Sequence, residues 1–251
     1  MYKYKIVIPS YDRPNFIKEK TLKVLKEYEI PIENIYIFVS SLEQQIIYLK
    51  ENPEYNIIIG VPTLQAQRNF IQDYFKLDEH IVSMDDDIYG IYMITSIKNS
   101  ALIRVPDLDL FLKSVFERLI IEDAKLAGIY PCKNQLFMNN TITTDLKFIL
   151  GTFYCFINDD TRLVHKIQEK EDYYRTLQYY IKYGKIVRFN NICIKTKFLN
   201  YGGMGLLENR HIQNENDTNV LLNTYPAYFR TFRRKTNNRL EIAFKKNIKI
   251  K

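Results

Sequence analysis

Residues 80–88 read HIVSMDDDI, an apolar stretch that leads directly into three adjacent aspartates. The apolar part, residues 80–84, is typical of a buried β-strand. Asp85, Asp86 and Asp87 then lie at the carboxyl end of that strand, where open α/β sheets bind ligands. Adjacent carboxylates repel one another unless a cation lies between them, and oxygen ligands suit Mg²⁺ or Mn²⁺. The segment therefore predicts an α/β fold with a metal site at one sheet edge; the alternative is a solvated acidic turn.

The residues before this segment alternate short β-branched stretches with amphipathic ones. We predict strands over residues 5–9, 35–39 and 57–59, and helices over residues 15–28, after Ser41 and after Thr63. Ser41 with Gln44 three residues later is typical of a capping box. Strand–helix alternation at this spacing predicts a parallel sheet with right-handed crossovers.

The second half of the sequence is less regular. We predict helices over residues 106–127, closed by Gly128, and 169–183, stopped by Gly184, and strands within 148–158 and over 186–189 and 192–195. The last two strands are expected to pair through Asn190 and Asn191. No linker divides the 251 residues. A single domain follows, in which residues 1–100 are regular, residues 101–224 are less regular and residues 225–251 form a basic C-terminal segment.

The composition excludes several classes of protein. Apolar residues make up 46% and charged residues 26% of the sequence, which is ordinary for a globular protein and excludes a disordered chain. The three cysteines are far apart and lack metal-ligand spacing, so we expect reduced and mostly buried thiols. The sequence shows neither a signal peptide nor an apolar stretch of about 18 residues. We therefore expect a cytoplasmic protein with no membrane partner.

The positive charge is concentrated at the C-terminal end. Residues 225–251 contain nine Lys and Arg and one Glu, whereas the rest of the chain is close to neutral. Tyr228, Phe229 and Phe232 lie among the arginines. Aromatic rings beside arginines can stack on bases while the cations hold phosphates. The segment thus predicts a polyanion-binding surface; the alternative is a basic helix end on the surface.

Two further motifs follow predicted strands. Pro9-Ser10-Tyr11-Asp12-Arg13-Pro14 ends the first strand, so that Tyr11 is available to stack on a base and Arg13 to pair with phosphate. Residues 60–70 read GVPTLQAQRNF and place a helix N-terminus, which favours an anion, at the same edge. Arg68 and Asn69 are unexpectedly polar between Ala66 and Phe70. Either motif alone is equally compatible with an ordinary strand-to-helix turn or a surface helix.

Taken together, the three motifs resemble those of GT-A glycosyltransferases. More narrowly, IVIPSYDRP, GVPTLQAQRNFI and MDDDI resemble the TET/JBP-associated glycosyltransferases, found largely in phages and large viruses. The resemblance is close over residues 5–92 and loose over 150–240. It implies a GT-A, Rossmann-like, mixed and mostly parallel sheet flanked by helices. It also implies that residues 1–100 form the nucleotide-sugar-binding half of the domain and residues 101–224 the acceptor and catalytic half.

The resemblance also implies a chemistry. The acid cluster would hold Mn²⁺ or Mg²⁺ on the diphosphate of a nucleotide-sugar donor such as a UDP-sugar, with Asp85 and Asp87 as metal ligands and Asp86 beside the donor. Pro9, Ser10, Tyr11, Arg13, Arg68 and Asn69 would border the nucleoside. The acceptor would be a hydroxymethylated pyrimidine, such as 5-hydroxymethylcytosine, in DNA bound through the basic C-terminal segment.

The resemblance assigns roles in the second half as well. Many GT-A enzymes have an acidic residue at the head of a helix facing the acceptor, and Glu171 and Asp172 fit this description. An inverting transferase needs such a carboxylate as a base, and we prefer Asp172 slightly over Glu171; acids are also favoured in any first helical turn. His211, after the glycine-rich residues 202–205, is the candidate late metal ligand.

Three other functions are also compatible with the sequence. A sugar nucleotidyltransferase would share the fold, but its G-x-G-x-R loop after the first strand is missing. A GT-A transferase acting on a glycan or protein hydroxyl would need no basic segment. A non-catalytic DNA-binding accessory protein would retain the segment and have no need of the aspartates.

Overall fold

The computed structural model describes residues 3–95, 101–196, 207–236 and 238–246, with the side chains of 207–209 excepted. Its first part is a run of strands and helices in regular alternation. In chain order these are β1 (Lys5–Pro9), α1 (Pro14–Ile17), a π-helical segment (Lys18–Leu22), α2 (Lys23–Glu27), a 3₁₀ turn (Ile32–Asn34), β2 (Ile35–Val39), α3 (Leu42–Glu51), β3 (Asn56–Ile59), α4 (Leu64–Tyr74) and β4 (His80–Met84).

Ser41 and Thr63 cap helices as the sequence predicts, whereas the Gln44 side chain, the second half of the predicted capping box, accepts from the Asp12 N–H at 2.9 Å. The Ser41 hydroxyl caps α3 by accepting from the Gln44 N–H at 3.3 Å, and the Thr63 hydroxyl caps α4 by accepting from the Ala66 N–H at 3.4 Å. β1 pairs in parallel with both β2 and β4, and β2 pairs in parallel with β3. The predicted parallel sheet of the first hundred residues is confirmed.

The second part adds strands to the same sheet and a separate hairpin. In chain order it contains β5 (Ile88–Ile94), β6 (Leu102–Arg104), α5 (Leu108–Ile121), β7 (Leu126–Tyr130), a 3₁₀ turn (Gln135–Phe137), β8 (Ile142–Thr143), β9 (Phe153–Ile157), α6 (Glu171–Tyr183), β10 (Val187–Thr196), α7 (Leu207–Thr224), β11 (Phe229–Arg233) and β12 (Leu240–Phe244). The sheet has ten strands in the order β3-β2-β1-β4-β9-β7-β10-β5-β6, with β8 beside β10. Most strands run in one direction, so the fold is α/β and Rossmann-like, as predicted.

Buried side chains fill both faces of this sheet. On one face Leu25 and Phe116, from α2 and α5, pack with β-strand residues such as Ile6. On the other face Ile71 and Leu177, from α4 and α6, pack with residues such as Val7. Alternate residues of β1 therefore belong to opposite cores, which is the period-two pattern of a strand buried on both sides.

Three expectations for the second half are wrong. The helix predicted over residues 106–127 ends at Ile121, and Gly128 lies in β7. A Cβ at Gly128 would lie 2.5 Å from a methyl carbon of Ile149, so this glycine serves close packing and does not stop a helix. The hairpin predicted through Asn190 and Asn191 is one continuous strand, β10, because the Asn190 N–H donates across to the Thr141 carbonyl at 3.0 Å.

The basic C-terminal segment is not the end of a surface helix, the alternative that the sequence allowed. Its described residues contain the β11–β12 hairpin. Phe229 is buried in the core, so it cannot stack on a base as predicted. Phe232 is exposed, and the Arg230 guanidinium lies 5.8 Å from the centre of its ring. Cys155 and Cys193 are buried and Cys132 is exposed; none of the three forms a disulfide.

The strand order places the site. From β1 the chain moves outward through β2 to β3, and then crosses back so that β4 lies on the other side of β1. The carboxyl ends of β1 and β4 are therefore neighbours at the point where the winding direction reverses, which is where sheets of this kind bind ligands. Ser10 follows one of these strands and Asp85 follows the other.

Candidate functional site

The three aspartates form a turn between β4 and β5, here called the acidic turn (residues 85–87). The Asp85 N–H donates to the Thr152 carbonyl at 2.9 Å, which attaches the turn to the segment before β9. The three side chains have different surroundings. The sequence predicted the position of the turn, and the structure adds what each carboxylate contacts.

Asp86 points toward the loop after β1. Its carboxylate accepts from the Ser10 hydroxyl at 2.5 Å and from the Arg13 guanidinium at 3.1 Å. The Tyr48 hydroxyl lies 2.6 Å from the Ser10 hydroxyl and accepts from the Arg13 N–H at 2.9 Å. Burial raises the pKa of Asp86, although Ser10 and Arg13 oppose the shift. Asp86 therefore fixes the loop of residues 9–14 to the acidic turn.

This fixed loop carries the residues predicted to border a nucleoside. Pro9 ends β1 and Ser10 is buried by its contacts with Asp86 and Tyr48, while Tyr11 is 52% exposed. An exposed ring on an anchored loop at the sheet edge is available for stacking on a planar ligand. The structure thus brings Ser10, Tyr11, Arg13 and the acidic turn together, as expected from the sequence.

Asp85 faces an arginine of α4. The Arg68 guanidinium lies 3.5 Å from the Asp85 carboxylate, donates to the Gly151 carbonyl at 3.0 Å and forms a short hydrogen bond to the Glu171 carboxylate. Although burial opposes its charge, Glu171, Tyr154 and Asp85 hold the pKa of Arg68 above its usual value. Arg68 is buried and joins the acidic turn to the head of α6, so its contact with a nucleoside stays a prediction.

Asn69, the other polar residue of the α4 motif, forms hydrogen bonds with backbone groups. Its carboxamide donates to the Leu163 carbonyl at 3.0 Å and accepts from the Leu163 N–H at 3.1 Å. Gln65, one turn earlier, makes a similar pair of contacts with the Leu163 carbonyl and the Ile167 N–H. The polar side of α4 therefore holds the segment that leads to α6, and nucleoside contact by Asn69 also stays a prediction.

Asp87 is the least satisfied of the three carboxylates. Its buried Oδ1 has no hydrogen-bond partner among the described residues. Burial, followed by the charges of Asp85 and Asp86, raises the pKa of Asp87 to about 7. Burial also raises the pKa of Asp85 to about 6, against the opposing effect of Arg68. The turn therefore has negative charge that the surrounding side chains leave partly uncompensated.

These groups fit a divalent cation, although they do not enclose one. Within the described parts of the chain, no three Asp, Glu, His or Cys side chains are grouped in a way that could hold a metal. Asp86 is engaged by Ser10 and Arg13, which leaves Asp85 and Asp87. Mg²⁺ is commonly held by one or two carboxylates together with water and substrate phosphates. The unpartnered oxygen of Asp87 and the all-oxygen donor set match that arrangement.

The head of α6 distinguishes the two candidate bases. Glu171 is buried between two arginines, because its carboxylate accepts from Arg68 and, at 2.9 Å, from Arg175. Asp172 is half-buried, and its carboxylate accepts from the Tyr173 N–H at 2.9 Å. Burial and the neighbouring charge of Glu171 raise the pKa of Asp172 to about 6. Asp172 is thus suited to accept a proton near neutral pH, and Glu171 is committed to an ion network.

No contact described in the structure joins His211 to the acidic turn. His211 is exposed near the start of α7, and its predicted metal contact stays a prediction. The preceding Arg210 donates to Glu169 at 2.8 Å, just before α6. The glycine-rich stretch at 202–205 lies outside the described residues.

The architecture has counterparts among solved structures. Glucosyl-3-phosphoglycerate synthase from Mycobacterium tuberculosis, in complex with Mg²⁺ and UDP, is similar with a TM-score of 0.52 and 9% identity over 97% of this chain and 88% of that chain. Its complex with Mn²⁺, UDP-glucose and phosphoglyceric acid gives a TM-score of 0.51 and 10% identity over 98% and 88% of the two chains. A mycobacterial protein gives 0.54 and 10% over 97% and 84%. No protein-family model and no curated protein matches the chain.

The chain has a GT-A fold. At this level of identity the likeness shows the architecture alone. Among the described residues, no helix combines the length and apolar character needed to cross a bilayer.

Sequence reasoning missed three residues that build the site. Arg175 is buried, shares Glu171 with Arg68 and lies 3.6 Å from the centre of the Tyr154 ring. Gly151 leaves room for this network, since a Cβ there would lie 2.9 Å from both Arg68 Nη1 and Glu171 Oε1. Thr21 is buried and contacts Asp85, which begins the acidic turn, and Ile88, which follows it. The spacing of Glu171 and Arg175, four apart on a helix, was the available signal for the first of these.

Proposed function

We propose that the protein is a metal-dependent glycosyltransferase that uses a nucleotide-sugar donor. The observation that carries this proposal is the acidic turn, whose Asp85 and Asp87 lie with raised pKa values at the switch point of the sheet, beside the anchored loop of residues 9–14. The GT-A fold supports it, as do the Mg²⁺, Mn²⁺, UDP and UDP-glucose present in similar structures.

In this proposal the donor binds across the switch point, with its nucleoside on one side and its diphosphate on the other. Tyr11 and Arg13 would contact the nucleoside side, and Asp85 and Asp87 would hold the cation. When bound, Mn²⁺ or Mg²⁺ would offset the negative charge of the departing diphosphate. The Arg68–Glu171 contact fixes the position of the acidic turn relative to α6, which contributes the proposed base.

The transfer itself requires one base. The acceptor oxygen attacks the anomeric carbon, the bond from that carbon to the diphosphate oxygen breaks, and the acceptor proton passes to the Asp172 carboxylate. The products are the glycosylated acceptor and the free nucleoside diphosphate, with inversion at the anomeric carbon. Asp172 is preferred over Glu171 because Arg68 and Arg175 pair with Glu171, whereas no arginine among the described residues forms an ion pair with Asp172.

Donor hydrolysis tests the transferase proposal without knowledge of the acceptor. A panel of nucleotide sugars is incubated with the protein and either Mn²⁺ or EDTA, and release of nucleoside diphosphate is measured. We expect release with at least one donor, in the presence of metal only. Binding of nucleic acid without turnover of any donor, with or without acceptor, would instead favour a non-catalytic binding protein.

For the acceptor we propose a hydroxymethylated pyrimidine in DNA, and with it membership of the TET/JBP-associated family. The β11–β12 hairpin has exposed Arg230 beside exposed Phe232, and exposed Lys235 in its turn. It lies against the head of α6, since Glu241 pairs with Lys170 at 2.6 Å and the rings of Phe244 and Tyr173 are 5.4 Å apart. Basic and aromatic groups next to the proposed base suit a polyanionic acceptor whose base is turned out of the helix.

The acceptor is tested by mass spectrometry of nucleosides. Hydroxymethylated DNA, unmodified DNA and a set of sugar and peptide acceptors are each incubated with the active donor and Mn²⁺. We expect a hexose added to the hydroxymethylated base alone. Modification of a sugar or peptide but of no DNA would contradict the DNA acceptor and leave the transferase proposal intact.

A further inference from the structure

The helix that follows β1 is not a regular α-helix. Its middle turn, Lys18–Leu22, is π-helical and joins α1 to α2. A π-helical turn inserts one extra residue, has poorer hydrogen-bond geometry than an α-helix and occurs frequently at functional sites. Thr21 lies within this turn and is fully buried.

The Thr21 hydroxyl makes two hydrogen bonds to the acidic turn. It donates to the Asp85 carbonyl at 2.7 Å and accepts from the Ile88 N–H at 3.0 Å. A threonine hydroxyl has one hydrogen to donate, and within a helix it usually donates to a carbonyl of the preceding turn. Here that hydrogen is directed to another element, and the hydroxyl contacts the residue that begins the acidic turn and the residue that follows it.

This double contact closes the backbone around three adjacent carboxylates. The repulsion between them favours any conformation that separates the side chains, and the Thr21 hydroxyl opposes that separation by holding the two ends of the turn together. The Asp85 N–H, bonded to the Thr152 carbonyl, provides the anchor on the other side. The backbone is therefore fixed on both sides of the pair Asp85 and Asp87.

We propose that Thr21 is a positioning residue, set by the π-helical turn to hold Asp85 and Asp87 in the arrangement that receives the divalent cation. The inference rests on the proposed metal-dependent function, because it assigns a role toward that cation. Partners that orient a metal ligand without touching the metal commonly change affinity by roughly 10- to 100-fold when they are removed.

Substitutions that remove or retain the hydroxyl test this role. Thr21→Val keeps the shape of the side chain and removes both hydrogen bonds, whereas Thr21→Ser keeps the hydroxyl. Thr218→Val is the matched control, because Thr218 is also fully buried in a helix but its hydroxyl has no partner among the described residues. Thr21→Ala with Thr21→Ser repeats the comparison in a smaller side chain, should the valine variant not fold.

Mn²⁺ binding is measured by the loss of the free-ion signal in electron paramagnetic resonance, without any donor or turnover. We expect Thr21→Val to weaken Mn²⁺ binding at least tenfold and Thr21→Ser and Thr218→Val to stay within about threefold of the wild type. Amide exchange in EDTA should be faster at Ile88 in Thr21→Val than in Thr21→Ser.

The outcomes separate the two proposals. If the wild type binds Mn²⁺ and Thr21→Val, or Thr21→Ala in its place, binds it equally well, the role of Thr21 is overturned and the metal site is not. An equal loss in Thr21→Val and Thr21→Ser would overturn it too, because the hydroxyl would then not be the group that matters. Absence of Mn²⁺ binding in the wild type, with and without nucleoside diphosphate, would overturn the metal-dependent function itself.

Discussion

The two acidic residues at the head of α6 should respond in opposite ways to the loss of their charge. Glu171→Gln removes a buried anion that contacts Arg68 and Arg175, whose side chains are almost fully buried. Removing one partner of a buried ion pair typically costs about 3–5 kcal/mol, because the remaining charge is left uncompensated. For a chain of this size that is roughly 6–20 °C in Tm.

Asp172→Asn should have a small effect on stability and a large one on turnover. The carboxamide that replaces the carboxylate keeps an oxygen that can accept from the Tyr173 N–H, and the raised pKa of Asp172 shows that its surroundings do not favour the charge. We expect a change of about 1 kcal/mol or less, which includes the lost interaction with the helix dipole. Loss of the base should lower turnover by roughly 10²- to 10⁴-fold with little change in donor binding.

Thermal unfolding and donor turnover are measured on both variants. Glu27→Gln, which alters an exposed pair with Arg104, is the control and should change stability by less than about 1 kcal/mol. Wild-type Tm in Glu171→Gln would refute the buried network. If Asp172→Asn keeps wild-type turnover and a folded Glu171→Gln loses it, Glu171 and not Asp172 is the base.

Three further predictions follow from the same contacts. Asp87 has a pKa of about 7 in the folded protein and an ordinary pKa when unfolded, so its ionisation destabilises the fold increasingly as pH rises from about 4 to about 7. In EDTA, the Tm of Asp87→Asn minus the Tm of the wild type should therefore rise over that pH range. A Tm difference that does not change with pH would contradict the raised pKa. Gly151→Ala should lower stability by about 1–3 kcal/mol, since its Cβ would meet Arg68 and Glu171, and an unchanged Tm would mean that the network moves freely. Arg230→Ala with Lys235→Ala should reduce the slope of log affinity for DNA against log salt concentration by about two units, and an unaltered slope would remove the hairpin from the DNA surface.

The structure refines the choice of residues for that last test. Arg234 pairs with Glu241 at 2.9 Å, and Arg239 contacts Glu169 at 3.4 Å. Part of the basic segment is therefore used to attach the hairpin to the region before α6. The sequence showed the charge of the segment but not which cations remain exposed.

Local patterns predicted the first hundred residues well. β1, β2 and β4 have the predicted bounds because each is a short apolar stretch between polar turns, and the hydroxyls of Ser41 and Thr63 cap helices within a few residues of themselves. Such signals are contained in a handful of neighbouring residues, so one sequence is enough to interpret them.

The missed features depend on contacts between distant residues. From the sequence Gly128 is interpreted as a helix stop, but in the structure Ile149 packs where its Cβ would be. Arg68 is interpreted as a surface arginine, but in the structure it is buried against Glu171. The contact of Thr21 with the acidic turn joins residues more than 60 positions apart. Tertiary packing decides all three, and no periodicity or spacing in the sequence encodes it.

The claim that the acidic turn forms a cation-dependent diphosphate site is tested most directly by calorimetric titration of UDP into the wild-type protein and into Asp87→Asn, each with Mn²⁺ and with EDTA. The account predicts binding by the wild type in Mn²⁺, a loss of at least tenfold in EDTA, and the same weak binding by Asp87→Asn under both conditions. UDP affinity that is equal in Mn²⁺ and EDTA, or unaffected by Asp87→Asn, would contradict it.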